Sequence, residues 1–142
     1  MLIQYPLQVV LVDGQEDILE IMETFLEDDQ DLKVTKFDSP LSAMEFIENN
    51  TVNIVITDIK MKEMAGDDLL RKILNLEKGV DVVVTSGKHN MTELMASFKA
   101  GAFAYISKPF TQNQLITVID RAKKRVGHWN STYQKIINSK KK

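Results

Sequence analysis

Asn53-Ile54-Val55-Ile56-Thr57-Asp58 is the stretch on which the reading of this 142-residue chain turns. Ile54, Val55 and Ile56 leave no polar face, the pattern of a strand buried on both sides of a parallel sheet. The run stops on an acid. A carboxylate where a parallel strand meets its loop stands at the mouth of an α/β sheet, where such sheets bind ligands. Asp is also a common turn former, so Asp58 alone leaves a cap and a functional site both open.

Working outward, Leu7 to Val12 is a second apolar run, closed by the turn Asp13-Gly14. Ile18, Ile21, Met22, Phe25 and Leu26 then recur at helical spacing behind an acidic first turn. Leu32 to Phe37 is β-branched enough for a strand. Asp38-Ser39-Pro40 starts a helix whose stripe is Ala43, Phe46 and Ile47, ended by Asn49-Asn50. After the Asp58 strand and a loop holding Gly66, Leu69, Leu70, Ile73 and Leu76 mark a third helix. Val80 to Thr85 is another buried strand. Asn90 can cap a fourth helix carrying Leu94, Met95 and Phe98, closed by Gly101. Phe103 to Ile106 is a short strand, and Thr111 with Gln114 makes a capping box for a fifth helix. Strict alternation implies an α/β fold: a parallel five-stranded sheet with right-handed crossovers and helices on both faces.

In such a fold the strand ends open onto one rim, and here they supply Asp13, Asp58, Thr85 and Lys108. Asp and Lys are rarely fully buried unless paired, so core packing does not account for them. The set suits phosphoryl transfer: a carboxylate as nucleophile, oxygen ligands for Mg²⁺, and an ammonium and hydroxyl for the phosphoryl oxygens. No glycine-rich nucleotide cradle is present, which favours a protein or small phosphodonor over ATP.

These residues resemble the receiver domains of two-component response regulators over roughly residues 7–125. The resemblance rests on Val10, Val12 and Asp13; on Asp58-Ile59-Lys60-Met61 with Gly66 eight residues past Asp58; on Val84-Thr85-Ser86; and on Gly101-Ala102-Phe103-Ala104-Tyr105-Ile106-Ser107-Lys108-Pro109-Phe110. It implies a flavodoxin-like (βα)₅ doubly wound sheet. It further implies that Asp58 accepts a phosphoryl group from a histidine kinase or phosphotransfer protein, and that Thr85 and Tyr105 form the switch pair. Ser86 stands where the family keeps a small residue. Asp13, Asp58 and the Lys60 carbonyl would hold Mg²⁺. Activity would be limited to self-catalysed phosphotransfer and dephosphorylation in a signalling module, not a metabolic enzyme.

Two positions depart from the family. Gly14 stands where a second metal-binding acid is usual, which should weaken Mg²⁺ because affinity follows ligand charge and number. Lys62 replaces a common proline and, with Lys60, adds cationic charge that could stand in for part of the metal's role. A phosphorylation-independent binding module is therefore the alternative reading. A flavin carrier of the same topology lacks the hydroxyl- and glycine-rich phosphate loop it would need.

Residues 121–142 carry +8 and no acid, which leaves −10 on residues 1–120 of a chain whose net charge is −2. Within this basic segment Val126, Trp129, Tyr133 and Ile136 extend the fifth helix's apolar stripe across Gly127. The expected division is an extension over 1–6, a receiver over 7–125, and a basic helical extension or linker over 126–142. That helix would serve self-association or lead to an output domain. The absence of cysteine excludes disulfides and thiolate metal sites. His89 and His128 have no ligand partner at metal spacing, and each reads as a surface or helix-end residue. Met1 to Val12 has no basic n-region and meets Asp13 early, so no signal peptide or membrane span is expected and the cytoplasm is the expected compartment. Direct nucleic-acid binding is not expected.

Overall fold

The computed structural model describes residues 2–87 and 90–141; the reading of His89 falls outside them. Five strands, β1 (Leu7–Val12), β2 (Leu32–Phe37), β3 (Ile54–Asp58), β4 (Asp81–Ser86) and β5 (Ala104–Ser107), form one parallel sheet in the order β2-β1-β3-β4-β5. They alternate with α1 (Glu16–Leu26), α2 (Pro40–Asn49), α3 (Gly66–Asn75), α4 (Met91–Ala100) and α5 (Gln112–Lys140). This is the expected flavodoxin-like sheet with a long C-terminal helix. Among the described residues no helix is long and apolar enough to cross a membrane.

Strand periodicity splits the core into two layers. Leu7, Val9, Leu11, Ile54, Ile56, Val83 and Ile106 face one side and pack with Leu19, Met22 and Leu26 of α1 and with Leu115, Ile119 and Ala122 of α5. Val10, Val12, Val55, Val82 and Val84 face the other and meet Ala43 and Ile47 of α2 and Leu69, Leu70 and Ile73 of α3. Alternate strand residues point to opposite faces, so the central strands are apolar on both. Gly66 is the first residue of α3 rather than part of the loop before it. Ile21 is 44% exposed, and Leu19 takes its place on the buried face of α1.

Helix α4 is the larger departure. Asn90 caps it through the Glu93 N–H, and Gly101 closes it in a left-handed conformation at φ 96°. A Cβ on Gly101 would also lie 3.0 Å from Leu74 Cδ1, so the position requires glycine on two counts. Yet Leu94, Met95 and Phe98 do not form a buried stripe: they are 37%, 42% and 71% exposed, and Ser97 is the buried residue.

The capping box of α5 is formed as expected, and the helix runs through Gly127 without a break. Trp129 does not fold back over the body, since it is 55% exposed. The N-terminal segment anchors the helix instead. Ile3 N–H donates to Asn130 Oδ1 at 2.7 Å, and Asn130 Nδ2 donates to the Ile3 carbonyl at 3.1 Å. Lys123 Nζ reaches Asp29 at 2.6 Å and Asp31 at 3.2 Å, joining α5 to the α1–β2 turn.

Asp81 is buried at the start of β4, with Arg125 Nη1 3.1 Å away. Burial raises its pKa above 3.8, and the guanidinium offsets this only in part. A raised carboxyl pKa means the folded state binds the proton more tightly than the unfolded chain. This group's contribution is therefore most favourable below pH 3.8 and declines as pH rises through the folded value. Asp81→Asn removes that titration. The variant is expected to gain stability relative to wild type between pH 3.8 and neutrality, read from urea midpoints across that range; a pH-independent difference would contradict it.

Candidate functional site

Parallel strands set side by side bring their carboxyl ends to one rim, which is how the chain gathers a site from distant positions. Asp58 pairs in register with Thr85, and Thr85 with Ile106. The Lys108 N–H donates to the Ser86 carbonyl at 2.6 Å, which fixes where the lysine leaves β5. The Lys108–Pro109 peptide bond is cis.

Three of the four rim residues expected from the strand ends form one ionic cluster. Lys108 Nζ lies 2.6 Å from Asp13 Oδ2 and 3.3 Å from Asp58 Oδ2. The Asp13 side chain is fully buried, whereas Asp58 and Lys108 are 14% and 15% exposed. Asp13 is doubly engaged, because its Oδ1 accepts from the Gln15 N–H at 2.9 Å. Asp58 Oδ1 accepts from the Lys60 N–H at 3.3 Å and keeps its opening to solvent. The Lys108 ammonium thus bridges the two carboxylates.

Thr85 is buried beside Asp58, its hydroxyl 3.5 Å from the Thr57 carbonyl. Tyr105 is not its direct partner in the sheet: it pairs with Val84, one step away, and packs on the face of the second core layer. Thr85 and Tyr105 therefore belong to opposite faces of neighbouring strands.

A cavity of about 530 Å³ opens over Asp58. Asp13, Gly14, Lys60, Lys62, Ser86 and Lys108 line it as the sequence leads one to expect, and so do Asp38 and Glu63. Asp38 directly follows β2, so the rim argument applied to that strand would have found it. Glu63 lies in the β3–α3 loop, where it accepts from Ser39 Oγ at 3.2 Å. Sequence reasoning also passed over Glu93 in α4, whose Oε2 accepts from Ser86 Oγ at 2.7 Å and whose Oε1 lies 3.4 Å from Lys60 Nζ. No local signal marks it.

For a divalent ion the donors fit in kind but not in number. Asp13 and Asp58 offer hard oxygens, yet both Asp13 oxygens already hold partners, and Gly14 brings none. Among the described residues no three acids or histidines are gathered at metal-binding distance.

The family model described as response regulator receiver domain matches residues 9–120. The C4-dicarboxylate transport transcriptional regulatory protein DctD of Rhizobium meliloti is 30% identical over 117 residues, 82% of this chain and 25% of that protein. Response regulator GtcR of Aneurinibacillus migulanus is 25% identical over 131 residues, 92% of this chain and 53% of that one. The chain thus spans between about a quarter and a half of these curated relatives. Among solved structures, a response regulator receiver domain protein from Clostridium thermocellum matches with a TM-score of 0.78 at 28% identity, over 84% of this chain and 95% of that one. A match that runs from within β1 through β5 and takes in the whole Asp13–Asp58–Lys108 rim settles the family: this chain belongs to the response regulator receiver domains of two-component signalling.

Proposed function

We propose that this receiver accepts a phosphoryl group on Asp58 from a phosphohistidine of a histidine kinase or phosphotransfer protein, and that the phosphorylated form is the signal. The observation that carries the reading is the Lys108 ammonium placed 3.3 Å from the Asp58 carboxylate at the mouth of an open cavity. In the step, an Asp58 oxygen attacks phosphorus while the P–N bond of the donor breaks. The bonding pair returns to the imidazole nitrogen and an acyl phosphate forms. Water attack on phosphorus later releases phosphate and restores the carboxylate. Lys108 donates to a phosphoryl oxygen as charge builds there, the kind of preorganised donor that supplies most of the catalysis in such transfers. The Thr85 hydroxyl turns from the Thr57 carbonyl to a second phosphoryl oxygen, and Tyr105 on the neighbouring strand moves with it as the other half of the switch pair. Ser86 keeps the floor of the cavity small.

Mg²⁺ would be held weakly by Asp13, Asp58 and the Lys60 carbonyl, and when bound it supplies charge neutralisation at the phosphoryl oxygens. Lys60 and Lys62 supply part of that positive charge themselves. Labelling by acetyl phosphate, read as a hydroxylamine-labile adduct, is the direct test. An adduct that persists at reduced rate in chelator supports the lysines' part; a strict need for millimolar Mg²⁺ excludes it. Gly14→Asp tests the metal site independently of phosphorylation. A Cβ at Gly14 would meet nothing within 4 Å among the described residues, so a side chain can start there without a clash. The substitution is expected to raise Mg²⁺ affinity about tenfold, by adding ligand charge, as read by calorimetric titration. An unchanged affinity would place the ion elsewhere.

The protein is read as a cytoplasmic signalling module with the receiver proper at 7–125, and as a regulator rather than a metabolic enzyme. The basic helical extension over 126–142 carries its output, to a second copy or to an output domain. The 1–6 segment braces that helix through Ile3 and Asn130. One observation favours a second reading, a binding module that acts without phosphorylation: the metal site lacks an acid at Gly14 while Asp13 is already satisfied. Absence of any adduct with acetyl phosphate, at all Mg²⁺ concentrations, would establish that reading over the first.

A further inference from the structure

Glu93 occupies the third position of α4, where its N–H is capped by Asn90. Its side chain is only 15% exposed and is shared between the end of β4 and the β3–α3 loop. Ser86 Oγ donates to it at 2.7 Å, and Lys60 Nζ lies 3.4 Å away. Ser86 ends β4, and Lys60 is two residues past Asp58. Both line the Asp58 cavity, whereas Glu93 is not among its lining residues. A carboxylate outside the cavity thus holds a hydroxyl and an ammonium that edge it.

We infer that Glu93 is a positioning residue, a clamp that ties α4 to the site through Ser86 and Lys60 and yields both groups when an anion arrives on Asp58. The inference rests on the reading of Asp58 as phosphoacceptor. A phosphoryl group brings close to two negative charges and three acceptor oxygens, against one charge on Glu93. Lys60 is 63% exposed on a flexible stem, and exposed pairs of this kind are weak, so it is free to swing toward the stronger anion. The Ser86 hydroxyl has a single proton and cannot serve Glu93 and a phosphoryl oxygen together.

Few buried side chains anchor α4 beyond Ala100, which packs against the second core layer. Ser97 is its one buried residue, and the Ser97 hydroxyl has no hydrogen-bond partner among the described residues. Met91, Leu94, Met95 and Phe98 are all exposed. A helix with so few buried apolar contacts belongs to the low-stability end of a fold, so a tie at its first turn carries unusual weight. Loss of the Glu93 contacts therefore frees the helix.

Hydrogen exchange of the α4 amides tests this in the full chain, for wild type, Glu93→Ala and Glu93→Gln, with and without acetyl phosphate and Mg²⁺. Exchange in the β1 amides confirms that each variant is folded. Without phosphodonor, Glu93→Ala is expected to exchange about tenfold faster in α4 than wild type, since local opening governs exchange there. Glu93→Gln, which still accepts from Ser86 but cannot pair with Lys60, falls between them. Phosphodonor raises α4 exchange in wild type and adds little in Glu93→Ala. Equal exchange in wild type and Glu93→Ala without phosphodonor overturns the clamp. Unchanged α4 exchange in wild type that carries the acyl phosphate overturns its release. If wild type forms no acyl phosphate, the reading of Asp58 and the release step fall together; the comparison without phosphodonor still decides the clamp.

Discussion

Asp58→Asn is expected to reduce the hydroxylamine-labile adduct formed with acetyl phosphate to the blank. The amide has the same shape but no anionic oxygen to attack phosphorus, and a carboxamide cannot give an acyl phosphate. The substitution spares the fold, because Asp58 is 14% exposed and Asn can still accept the Lys60 N–H that now lies 3.3 Å from Oδ1. Thermal unfolding should therefore separate loss of chemistry from loss of structure, with a small change in midpoint beside a complete loss of label. Beside Asp13, two further carboxylates line the same cavity, Asp38 and Glu63. Label that survives in Asp58→Asn and maps to either of them would show that the phosphoacceptor has been misassigned.

Lys108→Ala is expected to cost about 3 kcal/mol of folding stability at neutral pH, since removing one partner of a buried pair leaves an uncompensated charge. Asp13 is the charge in question: it is fully buried and 2.6 Å from the lysine, with the Gln15 N–H as its other bond. The lysine's 15% exposure lets some water reach the site, which holds the cost toward the low end of the buried-pair range. Asp13→Asn in the same background is expected to recover most of the loss. The asparagine keeps an acceptor for Gln15 and carries no charge to be stranded. Guanidinium unfolding of the four proteins in the cycle measures the coupling. A cost under about 1 kcal/mol for Lys108→Ala would mean the pair behaves as a surface contact.

These two residues show what the sequence makes legible. In a parallel sheet a strand's last residue is placed by topology, so Asp58, Thr85 and Lys108 could be assigned to one rim before any coordinates. The same logic extends to Asp38, whose short-range role before a helix start drew attention from its place after β2. Glu93 is different. Its contacts with Ser86 and Lys60 depend on how α4 is rotated against the sheet, and a helix's spacing fixes which residues share a face but not which face turns inward. That is also why Leu94, Met95 and Phe98, correctly placed on one side of α4, proved to lie on the outer side. Tyr105 illustrates the limit in register: its presence on β5 was readable, but its pairing with Val84 rather than Thr85 was not.

The long α5 changes what a small motion at the body amounts to further out. The 29 residues of Gln112–Lys140 form one continuous helix, and the ten residues or so past Asn130 extend about 15 Å at about 1.5 Å per residue. A rigid rod of that length is a lever. A tilt of about 8° at its base displaces the far end by about 2 Å on the same dimensions, enough to break one packing arrangement and favour another. The fulcrum is set by the paired hydrogen bonds between Ile3 and Asn130, which brace the rod on one side just beyond the sheet. Cutting that brace would lower the fulcrum toward Val126, the last buried residue of the helix, and lengthen the arm, so the N-terminal residues set how far a given push travels.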